Sequence, residues 1–257
     1  SQFAYAKLGQ VVTGIKQLGF YEVVEAALGA DMVAYAEAKE LAEKGFLTSS
    51  CCPAFVSYVH KQFPMLSENV SHNMSPMATI AKFIKGMDNE AKTIFIGPCT
   101  AKKGEAQLPG VREYVDCVMT FEELQAMLDS RDIELTELEE TDLNNASGFG
   151  RSFARCGGLA EAAVEALKEQ GIDFEVKPVS CSGIEECRLA LLKASKGRAE
   201  GNFIEGMACI GGCINGAGCL THGERNKNKI DAHSRQAKDK TIVESLHGAE
   251  TGLEEAR

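Results

Sequence analysis

Cysteine is the residue type that offers this chain most of its chemistry, with ten cysteines in 257 residues. The first residues, SQFAYAKLGQVVTG, lack the basic stretch and apolar core of a signal peptide, so we expect a cytoplasmic protein. Thiols stay reduced in the cytosol, which argues against a disulfide framework. The ten thiols are therefore expected to be metal ligands, catalytic groups or buried small side chains, and their spacing must separate these uses.

Two short segments place cysteines where a metal could be bound. Cys51 and Cys52 are adjacent, and because neighbouring side chains diverge, one is a candidate ligand while the other is free for other work. Cys99 stands at the start of a predicted helix, where the helix dipole favours a thiolate. Lys102 and Lys103 add positive potential there, which suits an anionic cofactor.

A third segment, residues 205–219, combines cysteines with an unusual density of glycine. Cys209 and Cys213 are four residues apart, within one helical turn, and glycine lets the backbone approach a bulky cofactor closely. This spacing also suits zinc, which is the competing metal, whereas the two-residue gaps of a ferredoxin run are absent. Four thiolates from the three segments fit a cubane iron–sulfur cluster: Cys52, Cys99, Cys209 and Cys213.

The elements that must position these cysteines alternate between helix and strand, which predicts an α/β fold with mostly parallel sheets flanked by helices. Helices are predicted at 4–18, 31–44, 157–170 and 184–195, with a capping box at Thr120 starting another. Strands are predicted at 20–26, 92–97, 116–119, 173–179 and 202–204. The cysteine segments follow strand candidates, and ligand sites of open α/β sheets lie at the carboxyl ends of strands. We therefore expect the three segments to converge.

Charge and hydropathy exclude two classes of partner. Thirty-seven acidic against twenty-seven basic residues give a net charge of −10, with no basic block, which argues against nucleic acid. No stretch of 18 consecutive apolar residues is present, so we expect no membrane span.

The three cysteine segments resemble, in order, the three signature loops of the active-site domain of [FeFe]-hydrogenases, TSCCPxW, MPCxxKxxE and ExMACxxGCxxGGGQ. The resemblance covers nearly the whole chain and implies one domain over 1–257, with lobes at 1–91 and 92–204 and a third cluster loop and C-terminal segment at 205–257. The cofactor would lie between the lobes. It also implies that the family's first strand and upstream ferredoxin-like domains are absent from this sequence.

The cofactor that the resemblance implies is the H-cluster, a [4Fe–4S] cubane joined through one cysteine to a two-iron unit with CO, cyanide and a bridging dithiolate amine. By motif position the cubane ligands are Cys52, Cys99, Cys209 and Cys213, and Cys213 also bridges to the two-iron unit. Lys102 and Ser50 match residues beside the cyanides. Phe153 matches a pocket phenylalanine, and Met207 is retained. Gly97 replaces a methionine and is expected to open space beside the two-iron unit.

A proton route is also implied by the resemblance. Cys51 matches the thiol that exchanges protons with the bridging amine. Glu37, Glu40 and Ser71 match the relay that follows, and Lys44 stands where the family has an arginine at the mouth. The implied reaction is reversible H2 oxidation and proton reduction in an anaerobic setting. Its implied partners are H2, protons, an electron-transfer iron–sulfur protein or domain, and maturation proteins.

Departures from the family pattern favour a divergent, hydrogen-sensing branch with low turnover. Phe55 replaces a tryptophan, Met77 a glutamine and Cys219 a glutamine, while Cys156 stands where threonine is frequent. Two alternatives stay open: a cytosolic iron–sulfur assembly factor of the same fold without a two-iron unit, and a redox-inert zinc protein. The remaining cysteines are expected to be structural: Cys117, Cys181 and Cys187.

Overall fold

The computed structural model describes residues 2–254, which form helices and short strands in alternation. The helices are α1 Leu8–Gln17, α2 Ala26–Lys44, α3 Pro53–Gln62, α4 Pro76–Met87, α5 Ala101–Glu105, α6 Phe121–Asp129, α7 Gly148–Ser152, α8 Gly158–Glu169, α9 Ile184–Ala194, α10 Arg225–Arg235 and α11 Ile242–Glu254. The strands are β1 Leu47–Thr48, β2 Ile94–Gly97, β3 Cys117–Thr120, β4 Pro178–Ser182 and β5 Phe203–Met207. Within this part of the chain, none of the helices combines the length and apolar character that crossing a bilayer requires.

The strands form two parallel sheets, as the sequence predicts. One sheet has the order β1-β5-β4, with Thr48 and Val179 both paired to Ile204. The other pairs β2 with β3, and Ile96 lies opposite Met119. The cysteine segments follow β1, β2 and β5, so each one leaves the carboxyl end of a parallel strand.

The sheets do not follow the predicted lobe limits of 1–91 and 92–204. β1 belongs to the first of these ranges, yet its partners in β5, Phe203 and Ile204, belong to the second. A strand of two residues has too little local pattern to reveal its partner, and both of its side chains are buried by residues distant in sequence. One sheet therefore combines strands from both of these predicted ranges.

Two predicted strands are placed differently by the structure. Residues 20–25 are irregular, with Tyr21 97% exposed, because Phe20 and Val23 pack sideways against the cluster around α1 and α6 and have no strand partner. β4 begins at Pro178, five residues later than the predicted start, where register with β5 sets in. Both errors arise because long-range packing decides which apolar residues join a ladder.

Helix α2 is the element that links the core to the candidate site. Its alanine-rich surface packs closely on α4, where a Cβ at Gly29 would lie 2.3 Å from the Pro76 carbonyl oxygen. The helix ends at Gly45, whose φ of 75° is left-handed and whose N–H donates to Leu41 O at 2.8 Å. The chain then passes directly into β1 and the Cys51–Cys52 pair.

An open apolar cavity of about 1060 Å³ lies between α1, α4 and the outer edge of β2, and we call it the β2 groove. Its walls include Val12, Ile15, Ile80, Ile84, Ile94 and Phe95. Three small clusters of buried side chains surround the groove, and they are separate from the main core cluster. Among residues 2–254, β2 pairs with β3 alone, so its edge along the groove has no strand partner.

Candidate functional site

Three loops bring four thiols into one electrostatic environment. Cys52 caps the start of α3, with Pro53 as the first helical residue, and Cys99 lies between β2 and α5. Cys209 and Cys213 flank the turn that follows β5. Burial raises the pKa of the Cys99 and Cys209 thiols, and charge on Cys52 raises both further. Burial likewise raises the pKa of Cys213, with added repulsion from Cys52 and Cys99.

The donor set fits an iron–sulfur centre. Four thiols are soft donors that suit iron–sulfur clusters and zinc alike. In the stretch from 2 to 254, no three His, Cys, Asp or Glu side chains are close enough together to hold one metal ion. The four thiols therefore suit an iron–sulfur cluster by donor type, and zinc stays the competing metal.

The turn between Cys209 and Cys213 depends on two glycines. Gly211 and Gly212 have φ values of 82° and 95°, a region that side chains other than glycine rarely adopt. A Cβ at Gly212 would also lie 2.7 Å from the backbone N of Cys156. The chain just before α8 is therefore pressed directly against the turn.

Lys102 is a buried ammonium beside the adjacent cysteines. Its Nζ donates to the Cys51 carbonyl oxygen at 3.2 Å and to Glu105 Oε2 at 2.7 Å. Its positive charge partly offsets the burial that raises the pKa of Cys99 and Cys213. The sequence predicted Lys102 as a cofactor contact but gave no role to Glu105, which fixes the lysine head group.

Cys51 and Glu37 form a buried pair of proton-carrying groups. Burial raises the pKa of the Cys51 thiol, and the nearby Glu37 carboxyl raises it further. Glu37 is fully buried, and neither of its side-chain oxygens has a hydrogen-bond partner in the described chain. Burial raises its pKa to about 8, although Ser71 and the Ser50 backbone lie near enough to oppose the shift. Glu37 is therefore protonated at neutral pH.

The groups that follow lead from this pair to the surface. Ser71 Oγ donates to Glu40 Oε2 at 3.1 Å, and Glu40 forms an ion pair with Lys44 at 2.8 Å. Burial alone would raise the pKa of Glu40, but hydrogen bonds from Lys44 and the His72 backbone lower it below its ordinary value. His72 is exposed beside this pair. Cys51 and Glu37 are therefore buried close together, and Ser71 and Glu40 are joined by a hydrogen bond beside the exposed His72.

The other predicted site residues are hydrogen-bonded to the backbone or packed in the core. Ser50 Oγ donates to the Asn73 carbonyl oxygen at 2.6 Å, and Phe153 and Met207 are buried in the main core cluster. At Gly97 the expectation of open space is wrong. A Cβ there would lie 2.6 Å from Cε1 of Phe95, so the ring of Phe95 fills that space.

Asn226 on α10 is a residue that the sequence analysis missed. It is buried and its Nδ2 donates to the carbonyl oxygens of Ile214 at 2.9 Å and Thr221 at 2.8 Å. It therefore ties the loop after Cys213 to α10. Nothing in the sequence signalled this role, because polar residues dominate α10 and its other side chains are exposed or half-buried.

Comparison with known proteins agrees with the fold and shows the family. The chain belongs to the family described as iron only hydrogenase large subunit, C-terminal domain, which it matches over residues 2–217. The resemblance found in the sequence is thereby confirmed.

Individual relatives include enzymes and assembly factors. Iron hydrogenase 1 of Clostridium pasteurianum is 30% identical, over 87% of this chain and 47% of that protein. The cytosolic Fe-S cluster assembly factor narfl of Xenopus tropicalis is 24% identical, over 72% of this chain and 49% of that protein. The chain thus spans about half the length of these curated relatives. The [FeFe]-hydrogenase HydA1 from Chlamydomonas reinhardtii shares the fold, with a TM-score of 0.74 at 20% identity over 95% of this chain and 82% of that one.

Proposed function

We propose that this hydrogenase-family domain binds an H-cluster and catalyses or senses the reversible oxidation of H2 to protons and electrons. The observation that carries the proposal is the pairing of two features in one place. Charge on one candidate thiol raises the pKa of the others, and a fifth thiol, Cys51, lies beside the buried Glu37, with a hydrogen bond between Ser71 and Glu40 nearer the surface. A chain that only stored a cluster would not need the second feature.

Four cysteines would hold the cubane in this assignment: Cys52, Cys99, Cys209 and Cys213. Cys213 would also join it to the two-iron unit. The bound group would supply a redox-active metal centre for the interconversion of H2 and protons, and the two electrons would come from or go to a separate electron-transfer partner. Lys102, held by Glu105, offers a fixed ammonium to anionic ligands of that group.

The chain's own acid–base groups would move the proton. Cys51 would exchange it at Sγ, and Glu37, whose raised pKa keeps it protonated at neutral pH, would carry it at a carboxyl oxygen. Ser71, which donates to Glu40, would then pass the proton toward Glu40, which lies beside Lys44 at the surface. Each group is of a type that donates and accepts protons over hydrogen-bond distances.

A cytosolic iron–sulfur assembly factor is the second candidate, because relatives of that description match most of the chain. Such a protein would use the four cubane thiols and would not need the proposed proton transfer from Cys51. We favour the hydrogenase reading because Glu37 is a buried carboxyl with no hydrogen-bond partner among the described residues. Burying such a group costs free energy, so its presence favours a use for its proton.

Infrared spectroscopy after anaerobic maturation with the two-iron precursor tests the proposal. Bands from iron-bound CO and cyanide are expected, together with iron for both parts of the cofactor. Full cubane iron without those bands would support the assembly factor. Zinc in place of iron would support the redox-inert zinc protein. In the first case we also propose a cytoplasmic protein that exchanges electrons with an iron–sulfur protein or domain and depends on maturation proteins.

A further inference from the structure

Glu205 is a fully buried carboxylate close to the candidate centre, four residues before Cys209 on the chain. Its Oε1 accepts from the Gly157 N–H at 2.8 Å. Its Oε2 accepts from the Ala160 N–H at 3.1 Å and from Ser180 Oγ at 3.0 Å. One side chain on β5 therefore holds both β4 and the first turn of α8.

The segment 154–157 just before α8 is also bound to the cysteine turn. The Cys156 N–H donates to Gly211 O at 3.0 Å, and the Ile214 N–H donates to Ala154 O at 3.2 Å. Arg155 and Gly212 form an isolated antiparallel bridge between the same two stretches. Glu205 thus binds the last residue of segment 154–157, and the turn that carries Cys209 and Cys213 hydrogen-bonds to the residues before it.

A carboxylate suits this position better than any neutral side chain. The first N–H groups of a helix have no partner within the helix, and negative charge at that end is favourable. Both oxygens of Glu205 accept from a backbone N–H. An amide would turn its NH2 group toward one of these donors and lose at least one of the bonds.

We propose that Glu205 is a positioning residue that sets the spacing of Cys209 and Cys213 by locking segment 154–157 against their turn. The proposal rests on the proposed function only in taking these two thiols as cubane ligands. It assigns the lock to a residue whose carboxylate accepts hydrogen bonds from Gly157, Ala160 and Ser180 rather than from the cubane thiols.

The test compares Glu205→Gln with Asp31→Asn in the full chain. Asp31 is also a fully buried carboxylate, but it accepts from Ser147 and Ser245 and ties α2 to α7 and α11. After anaerobic reconstitution with iron and sulfide, Glu205→Gln is expected to release iron to a chelator on the order of 10–100-fold faster than the parent. The electron paramagnetic resonance spectrum of its reduced cluster should also change. Asp31→Asn should lower thermal stability and leave both readouts as in the parent.

A second readout needs no metal. In the chain before reconstitution, the amides of Cys156 and Ile214 should exchange with solvent faster in Glu205→Gln and at the parent rate in Asp31→Asn. If Glu205→Gln fails to fold, Ser180→Ala, which removes one donor and keeps the carboxylate, should show the same changes at smaller size.

The outcomes separate the two proposals. Parent-like exchange in Glu205→Gln, or equal effects in Asp31→Asn, would overturn the positioning role whether or not a cluster binds. A parent chain that takes up no iron and sulfide would overturn the proposed function, while the exchange measurement would still decide on Glu205.

Discussion

At the scale of single residues, Cys51 and Cys52 are neighbours with different surroundings. Cys52 opens α3 and shares charge repulsion with the other cubane candidates, whereas Cys51 lies beside the buried Glu37. We expect Cys51→Ala to keep its iron and to lose H2 evolution by a factor on the order of 10²–10⁴, because alanine has no proton to transfer. Iron analysis and a gas assay measure the two quantities.

The matched change is Cys52→Ala, which should lose cubane iron instead. The assignment of the pair is reversed if Cys51→Ala loses iron and Cys52→Ala retains it. Full turnover in Cys51→Ala would mean that the proton leaves by another route.

The buried carboxyl of Glu37 predicts a particular dependence of stability on pH. Its pKa is about 8 in the folded chain against an ordinary value of 4.5, so the folded state keeps a proton that the unfolded chain releases between these values. Stability that Glu37 contributes is therefore complete below pH 4.5 and is lost as the pH rises toward 8, at roughly 1.4 kcal/mol for each unit of pKa difference. Relative to Glu37→Gln, the parent should become steadily less stable across that window and level off above it.

Denaturant unfolding at a series of pH values measures this difference. Glu40→Gln is the control on the same helix, because the pKa of Glu40 is lowered and its contribution is lost as the pH falls. A difference between parent and Glu37→Gln that stays flat from pH 4.5 to 8 would show that Glu37 is not held protonated.

At the scale of elements, α10 matters because one of its side chains holds the loop after Cys213. Asn226 Nδ2 faces three acceptor oxygens, on Ile214, Asn215 and Thr221. Asn226→Asp keeps the shape but replaces the donor with an acceptor, which leaves buried acceptors unpaired. At about 1–3 kcal/mol for such a loss, the melting temperature should fall by roughly 2–10 °C.

The control is Asn228→Asp, two residues along the same helix and exposed. Thermal unfolding followed by circular dichroism should leave that variant unchanged, and reconstituted Asn226→Asp should also retain less iron. Equal melting temperatures for the two variants would remove Asn226 from the support of the loop.

The sequence predicted those elements that carry their own local signal. The capping box at Thr120 is present, since its Oγ1 accepts from Glu123 N at 3.2 Å and Glu123 returns a bond at 2.8 Å. The cysteine loops could be predicted because the identity and spacing of their residues indicate metal binding without knowledge of the fold. Residues 20–26 do not form the expected strand, because they pack against residues of α6 more than a hundred positions away. The bonds of Glu205 to α8 reach about fifty positions along the chain, so no local pattern reveals them.

At the scale of the whole molecule, the candidate centre joins the two sheets. Cys99 follows β2 of the two-stranded sheet, whereas the other three cubane candidates follow strands of the β1-β5-β4 sheet. A bound cluster would therefore tie the two sheets together and stabilise the folded state by mass action. Reconstitution should raise the melting temperature of the parent.

Cys99→Ser should lose most of that rise, because a hydroxyl is a weaker ligand than a thiolate for iron–sulfur clusters. Cys117→Ser, an exposed cysteine on β3 of the same sheet, is the control and should keep the rise. Calorimetry before and after reconstitution gives both values. The same rise in Cys99→Ser as in the parent would show that the cluster does not bridge the sheets through this residue.

The β2 groove also has a consequence for the behaviour of this polypeptide in a concentrated sample. A strand edge without a partner, next to an apolar surface, is a template on which other chains can add. Tyr21 stands 97% exposed at its rim. We therefore expect light scattering to show association that grows with protein concentration, and Tyr21→Lys to suppress it without lowering the melting temperature. The yield of a purification would then depend on keeping the protein dilute.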